Sequence, residues 1–161
     1  MQSQTLTVDR QMKRYSIPRL AFINKCDRMG ANPFKCIDAM RTQLSLPAGA
    51  VQIPIGLEGA HEGVVDVISQ QAVYFHGDKG DEIVRTDIPA ELQEQASEVR
   101  TQLIEALADV DDEIGELFVM EEEPTEAQVC LSYKRDFFSI LLYYFMWSSA
   151  LESSGVLLST L

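Results

Sequence analysis

Pro18-Arg19-Leu20-Ala21-Phe22-Ile23-Asn24-Lys25-Cys26-Asp27 decides how this chain is read. Its first six residues run apolar into a polar tetrad and predict a buried strand that ends just before Asn24. Ligands of open α/β sheets bind outside the carboxyl ends of strands, which is where the tetrad falls. In an Asn-Lys-x-Asp tetrad the carboxylate of Asp27 can accept two hydrogen bonds, from the ring N–H and the exocyclic amine of guanine. Adenine offers no such pair of donors. The stem of Lys25 can lie over the base plane, and the amide of Asn24 can bond the base or tie the loop to a neighbouring one. Discrimination is strong because a buried carboxylate left unpaired costs more than an imperfect apolar fit. On these residues alone, an ordinary polar loop between strand and helix is the alternative.

Elements on both sides fit a βα unit of an α/β sheet. Residues 3–15 place Leu6, Met12 and Tyr15 among polar neighbours and predict a helix that leads into the strand. Asn32 is a helix cap with Pro33 in the first turn, where a missing N–H costs nothing. Phe34, Ile37, Met40 and Leu44 then repeat at three and four, one face of a helix.

From about residue 50 the period shortens. Val51–Ile55, Val64–Ile68, Ala72–Phe75 and Glu82–Arg85 read as strands, separated by Gly56, Gly59, Gly63 and the turn Gly77-Asp78-Lys79-Gly80. A small antiparallel region is expected. His61 and His76 have no ligand spacing and read as loop residues. After Pro89, Leu92, Ala96, Val99, Leu103, Leu107 and Val110 make one helical stripe, and Glu91, Glu94 and Glu98 belong to a polar face. Asp111 or Asp112 can cap a short helix carrying Ile114, Leu117 and Phe118. Glu121-Glu122-Glu123 reads as a solvated hinge, and Thr125-Glu126-Ala127-Gln128 has capping-box spacing.

With 161 residues, 46% of them apolar, the chain can bury a core of one to two small domains. A formal charge of −12 argues against DNA or any other phosphate backbone as a main partner. Arg10, Lys13, Arg14 and Arg19 form the densest basic cluster and read as a solvated helix face. Cys26, Cys36 and Cys130 are odd in number and lack C-x-x-C spacing, which indicates neither a disulfide framework nor a zinc site. Cys26 occupies the free position of the tetrad as filler. The aromatic run from Phe137 to Trp147 is too short for a membrane span, which needs about twenty apolar residues.

Two longer stretches carry a family likeness. Gln2-Ser3-Gln4-Thr5-Leu6-Thr7-Val8-Asp9-Arg10-Gln11-Met12, followed by Ile23 through Asn32, resembles the middle of the GTPase domain of translation elongation factor G. Ala50-Val51-Gln52-Ile53-Pro54-Ile55-Gly56, Gly63 through Ile68, and Ala72 through Phe75 resemble that family's G′ insertion. The resemblance runs over residues 2 to about 128. It implies an α/β fold: a partial P-loop GTPase sheet, residues 1–50 and 125–161, interrupted by an α+β insertion at 51–124. It also implies GTP or GDP as ligand and a factor that drives ribosomal translocation. The corresponding insertion helix engages the basic C-terminal domain of the ribosomal stalk protein, which would give Glu91, Glu94 and Glu98 a partner. Otherwise that face is ordinary solvated surface, and the chain a non-catalytic module. Arg28-Met29-Gly30 and Ile53-Pro54-Ile55-Gly56 look more like the mitochondrial branch than the bacterial one, although no targeting segment is present.

The sequence contains no G-x-x-x-x-G-K-S/T phosphate loop, and no D-x-x-G precedes the tetrad. Those motifs cradle the phosphates and hold Mg²⁺, the parts that supply most of the catalysis in phosphoryl transfer. The expectation is therefore a fragment or truncated product that does not turn over GTP alone. No catalytic and no metal-ligating residues are assigned.

The last third departs most from the family pattern. Laid on it without a gap, Leu141 through Met146 becomes the final strand and Ser149-Ala150-Leu151 the S-A-x loop, where a backbone N–H would meet the guanine carbonyl oxygen. Ser148 stands in place of a glycine, Tyr144 in place of a proline, and Glu152-Ser153-Ser154 in place of a K-N-K run. A glutamate beside such a site is electrostatically unfavourable. An altered reading frame or divergent exon is the alternative to a buried strand here.

Overall fold

The computed structural model describes residues 3–15, 20–23, 25–26, 28–45, 48–76, 82–135, 141–145 and 156–159, with backbone course alone at residues 3 and 20 and beyond residue 132. Among these residues, two four-stranded sheets share one core, formed by residues such as Ala21, Met40, Val51, Val65, Leu103 and Ile114.

The first sheet contains β1 (Leu20–Ile23), β2 (Ala48–Ala50), β7 (Leu141–Phe145) and β8 (Val156–Ser159), in the order β2-β7-β1-β8. β7 runs parallel to β1, pairing Leu20 with Leu142 and Ile23 with Phe145, and parallel to β2 on its other side. β8 lies antiparallel along the remaining edge of β1. The strand expected at Leu141 is thus present and lies inside the sheet, whereas β8 was not anticipated.

The second sheet is an antiparallel meander of β3 (Gln52–Ile55), β4 (Gly63–Asp66), β5 (Gln71–His76) and β6 (Glu82–Thr86). The sequence suggested a single strand over Val51–Ile55. The chain instead forms β2 and β3 in different sheets, and Val51 is the buried step between them, its carbonyl accepting from Val67 N–H at 2.9 Å. Pro54 is accommodated because, among the described strands, β3 lies at the sheet edge and pairs only with β4. Between β4 and β5, the Asp66 carboxylate accepts from the N–H groups of Ile68 and Ser69 at 2.9 and 3.0 Å, a local Asx turn. His76 closes β5 and stacks on Tyr74, so it is a strand residue and not part of a loop.

Among the described residues, five helices cover the sheets. In α1 (Ser3–Arg14) the buried face is Thr5, Asp9 and Met12, while Tyr15 beyond it is 67% exposed. The expected stripe of Leu6, Met12 and Tyr15 is therefore rotated. Asp9 is accommodated in that face because Lys13 pairs with it at 3.2 Å and also donates to the Leu44 carbonyl at 2.6 Å. Lys13 is thus a tie between helices and not only part of a solvated basic face.

In α2 (Pro33–Leu44) the expected cap is formed, Asn32 Oδ1 accepting from Lys35 N–H at 3.0 Å. α3 (Ala90–Ala108) buries Ala96, Val99, Leu103, Ile104 and Leu107. It approaches β2 so closely that a Cβ on Gly49 would lie 2.7 Å from Leu103 Cδ1. Asp111 caps α4 (Asp112–Val119), and Thr125 with Gln128 forms the capping box of α5 (Glu126–Arg135). Arg100 ties α3 to its surroundings by donating to the carbonyls of Val67, Ile68 and Pro124 at 2.9, 3.0 and 3.1 Å.

Candidate nucleotide-base site

The site is built at the carboxyl end of the first sheet. Because β1 and β7 are parallel and Ile23 is level with Phe145, both strands end at the same edge of the sheet. In sequence, the tetrad follows β1, and Ser149-Ala150-Leu151 comes after β7. Asn24, Asp27, Ser149, Ala150 and Leu151 lie outside the described residues. The described strands β1 and β7 pair side by side, and of the candidate base-site residues Lys25 alone is among those described.

Lys25 is half-buried and has a φ of 67°, the left-handed region that a residue with a side chain enters only when its surroundings hold it there. Its carbonyl accepts from Arg28 N–H at 3.2 Å, and the Arg28 carbonyl accepts from Ala31 N–H at 3.0 Å. Two successive turns therefore carry the chain from β1 to the cap of α2. Cys26 is 2% exposed, and its Sγ points back toward the Ile23 carbonyl at 3.8 Å. It is an anchor of this loop, more than filler.

A cavity of about 460 Å³ opens beside the loop, lined by Lys25, Cys26, Gly30, Asn32, Lys35 and others. Two lysines, Lys25 and Lys35, thus border it in a chain whose formal charge is −12. The described part of the loop is a turn after a buried strand, with its backbone bonded at Lys25 and Cys26.

One contact in this region has no signature in the sequence. The N–H of Glu58 donates to the Cys26 carbonyl at 2.8 Å, and its Oε1 accepts from Gly30 N–H at 2.7 Å. Glu58 opens the short 3₁₀ turn Glu58–Ala60 between β3 and β4. A lone glutamate in a glycine-rich connection gives no hint of a partner 28 residues away.

Glu91, Glu94 and Glu98 of α3 are exposed, and none of these three forms an ion pair with a described residue. Glu98 also borders a groove of about 250 Å³ against α2, with Asp38 and Arg41 on the far wall. The structure thus keeps Glu91, Glu94 and Glu98 on one helix, well separated in chain and element from the tetrad loop.

The elongation factor Tu GTP-binding domain family matches residues 1–157. The chain belongs to that family. Among solved structures it is similar to a protein of Thermus thermophilus, with a TM-score of 0.76 and 20% identity over 91% of this chain and 22% of that one. This likeness shows the fold, and the chain spans about a fifth of the length of that protein, as the 22% coverage gives. The mixed helix and strand architecture, with three parallel strands in the first sheet, fits an α/β GTP-binding domain of this family.

Proposed function

We propose that this chain carries the base-reading part of a translational GTPase of the elongation factor G type. The observation that carries the reading is the tetrad loop at the carboxyl end of β1, beside the outgoing end of parallel β7. In this account Asn24, Lys25 and Asp27 recognise guanine, and a backbone N–H within Ser149-Ala150-Leu151 meets its carbonyl oxygen. The ligand is GTP or GDP. The residues present fit the base and not the metal: the sequence supplies no phosphate-loop serine or threonine for magnesium, and no catalytic step is assigned to these residues. In the whole factor, the site would serve GTP-driven translocation on the ribosome, with residues 51–124 as a G′-type insertion and a mitochondrial location.

A titration of the 161-residue chain with GDP and ADP, followed by amide NMR, tests the base reading. Millimolar GDP should shift the amides of Lys25, Cys26 and Gly30 along saturating curves, and ADP should not. Equal responses to the two nucleotides would contradict it.

A second reading concerns the acidic helix and is favoured by the exposure of Glu91, Glu94 and Glu98 without internal ion pairs among the described residues. We infer that this face docks a basic partner, the C-terminal domain of the ribosomal stalk protein. Attraction between exposed charges is screened beyond about 8–10 Å at moderate salt, so binding should weaken as salt rises. Changing Glu91, Glu94 and Glu98 together to lysine should abolish binding in a calorimetric titration while leaving the helical circular dichroism unchanged. Equal binding by the triple variant would show ordinary solvated surface.

A further inference from the structure

The chain leaves β3 through Gly56, whose φ of 73° lies in the left-handed region. Two residues later Glu58 adopts a φ of 57°, a conformation that a non-glycine residue keeps only where contacts hold it. Those contacts are the two made to the loop after β1, at Cys26 and at Gly30. The backbone N–H of Glu58 reaches the first of them and its carboxylate the second. In sequence, Asp27 lies between the two points, so one residue of the β3–β4 connection holds positions on both sides of it in the chain.

We propose that Glu58 is a positioning residue for the base-reading loop, coupling the connection between β3 and β4 to guanine recognition. The physical reason is the tolerance of such sites. A base reader must be held within about 0.5 Å of its productive geometry by the groups around it. Among the described residues of the loop, Lys25 with φ 67° and Gly30 with φ 79° are left-handed, and the bonds between its own residues are those of two turns. The carboxylate's bond to Gly30 N–H is charge-assisted but solvent-exposed, so its net strength is that of an ordinary hydrogen bond. Movement of the β3–β4 connection would therefore release Gly30 and Cys26 together. The coupling to base choice rests on the base reading proposed above, whereas the clamp itself does not.

Cys26 provides a local reporter, because its thiol is buried by the same loop. The 161-residue chain is treated with iodoacetamide, and the alkylation rates of Cys26, Cys36 and Cys130 are read separately by mass spectrometry. Glu58→Ala should raise the Cys26 rate about tenfold, the change in open population expected for one hydrogen bond of ordinary net strength. Cys36 and Cys130 should react at their original rates and so report that the fold is intact. Glu58→Gln keeps an acceptor oxygen and should restore most of the protection. The same variants are then titrated with GDP and ADP: Glu58→Ala should lose most of the preference for GDP, and Glu58→Gln should keep it.

An unchanged Cys26 rate in Glu58→Ala, or a rise shared by all three cysteines, would overturn the clamp. A selective rise at Cys26 with the GDP preference intact would overturn the coupling. If the parent chain itself does not distinguish GDP from ADP, the base reading fails, and the clamp stands or falls on the alkylation rates and their rescue by glutamine.

Discussion

Replacing Leu103 with alanine is expected to lower the unfolding free energy by about 3–5 kcal/mol, the upper part of the range for buried leucines. Leu103 is 1% exposed and reaches from α3 onto β2, where Gly49 offers no side chain to fall into the space left behind. The lost transfer energy and the residual cavity therefore add. The same geometry predicts a coupling. A Cβ on Gly49 would lie 2.7 Å from Leu103 Cδ1, so Gly49→Ala crowds the parent chain but fills part of the hole in Leu103→Ala. Urea denaturation of the two single variants and the double variant should show the double variant more stable than the sum of the singles predicts. Simple additivity would mean that α3 does not rest on β2 at this point.

Gly56→Ala is expected to cost about 3 kcal/mol through two separate effects. The φ of 73° is strained for any residue with a side chain, and an added Cβ would stand 1.8 Å from the carbonyl oxygen of Ala60. That oxygen belongs to the backbone, so relief requires rebuilding the turn rather than turning a rotamer. Gly59→Ala, three residues on, serves as the control: its Cβ would meet nothing within 4 Å, and the change should stay within about 0.5 kcal/mol. Comparable losses at the two glycines would contradict the turn described here. Because Gly56 also sets the course of the chain toward Glu58, its substitution should expose Cys26 to alkylation as well.

Features encoded by neighbouring residues were legible in the sequence. Asn32 and Pro33 marked the start of α2, Thr125 and Gln128 the start of α5, and alternation with glycine turns marked the meander, because caps and turns are satisfied within a few residues. Features that depend on distant partners were not. Asp9 is buried beside Lys13, which also meets Leu44, 31 residues farther on. Arg100 meets carbonyls 24 to 33 residues away. The split at Val51 follows from which sheet each side of the residue joins, and an apolar run looks the same in either case. At the site, the sequence pointed to the tetrad and its place after a strand. The clamp by Glu58 was invisible because nothing in a solitary glutamate names its partner.

The base preference of Asp27→Asn decides whether the tetrad reads guanine. The substitution removes a pair of acceptors and leaves one acceptor and one donor, a set that suits xanthine better than guanine. Titrated with GDP and XDP, the variant should lose about 1–3 kcal/mol of GDP affinity on the hydrogen-bond scale and gain for XDP, inverting the preference of the parent chain. Unchanged GDP affinity, with XDP bound no better than by the parent, would show that the Asn24-Lys25-Cys26-Asp27 loop does not read the base.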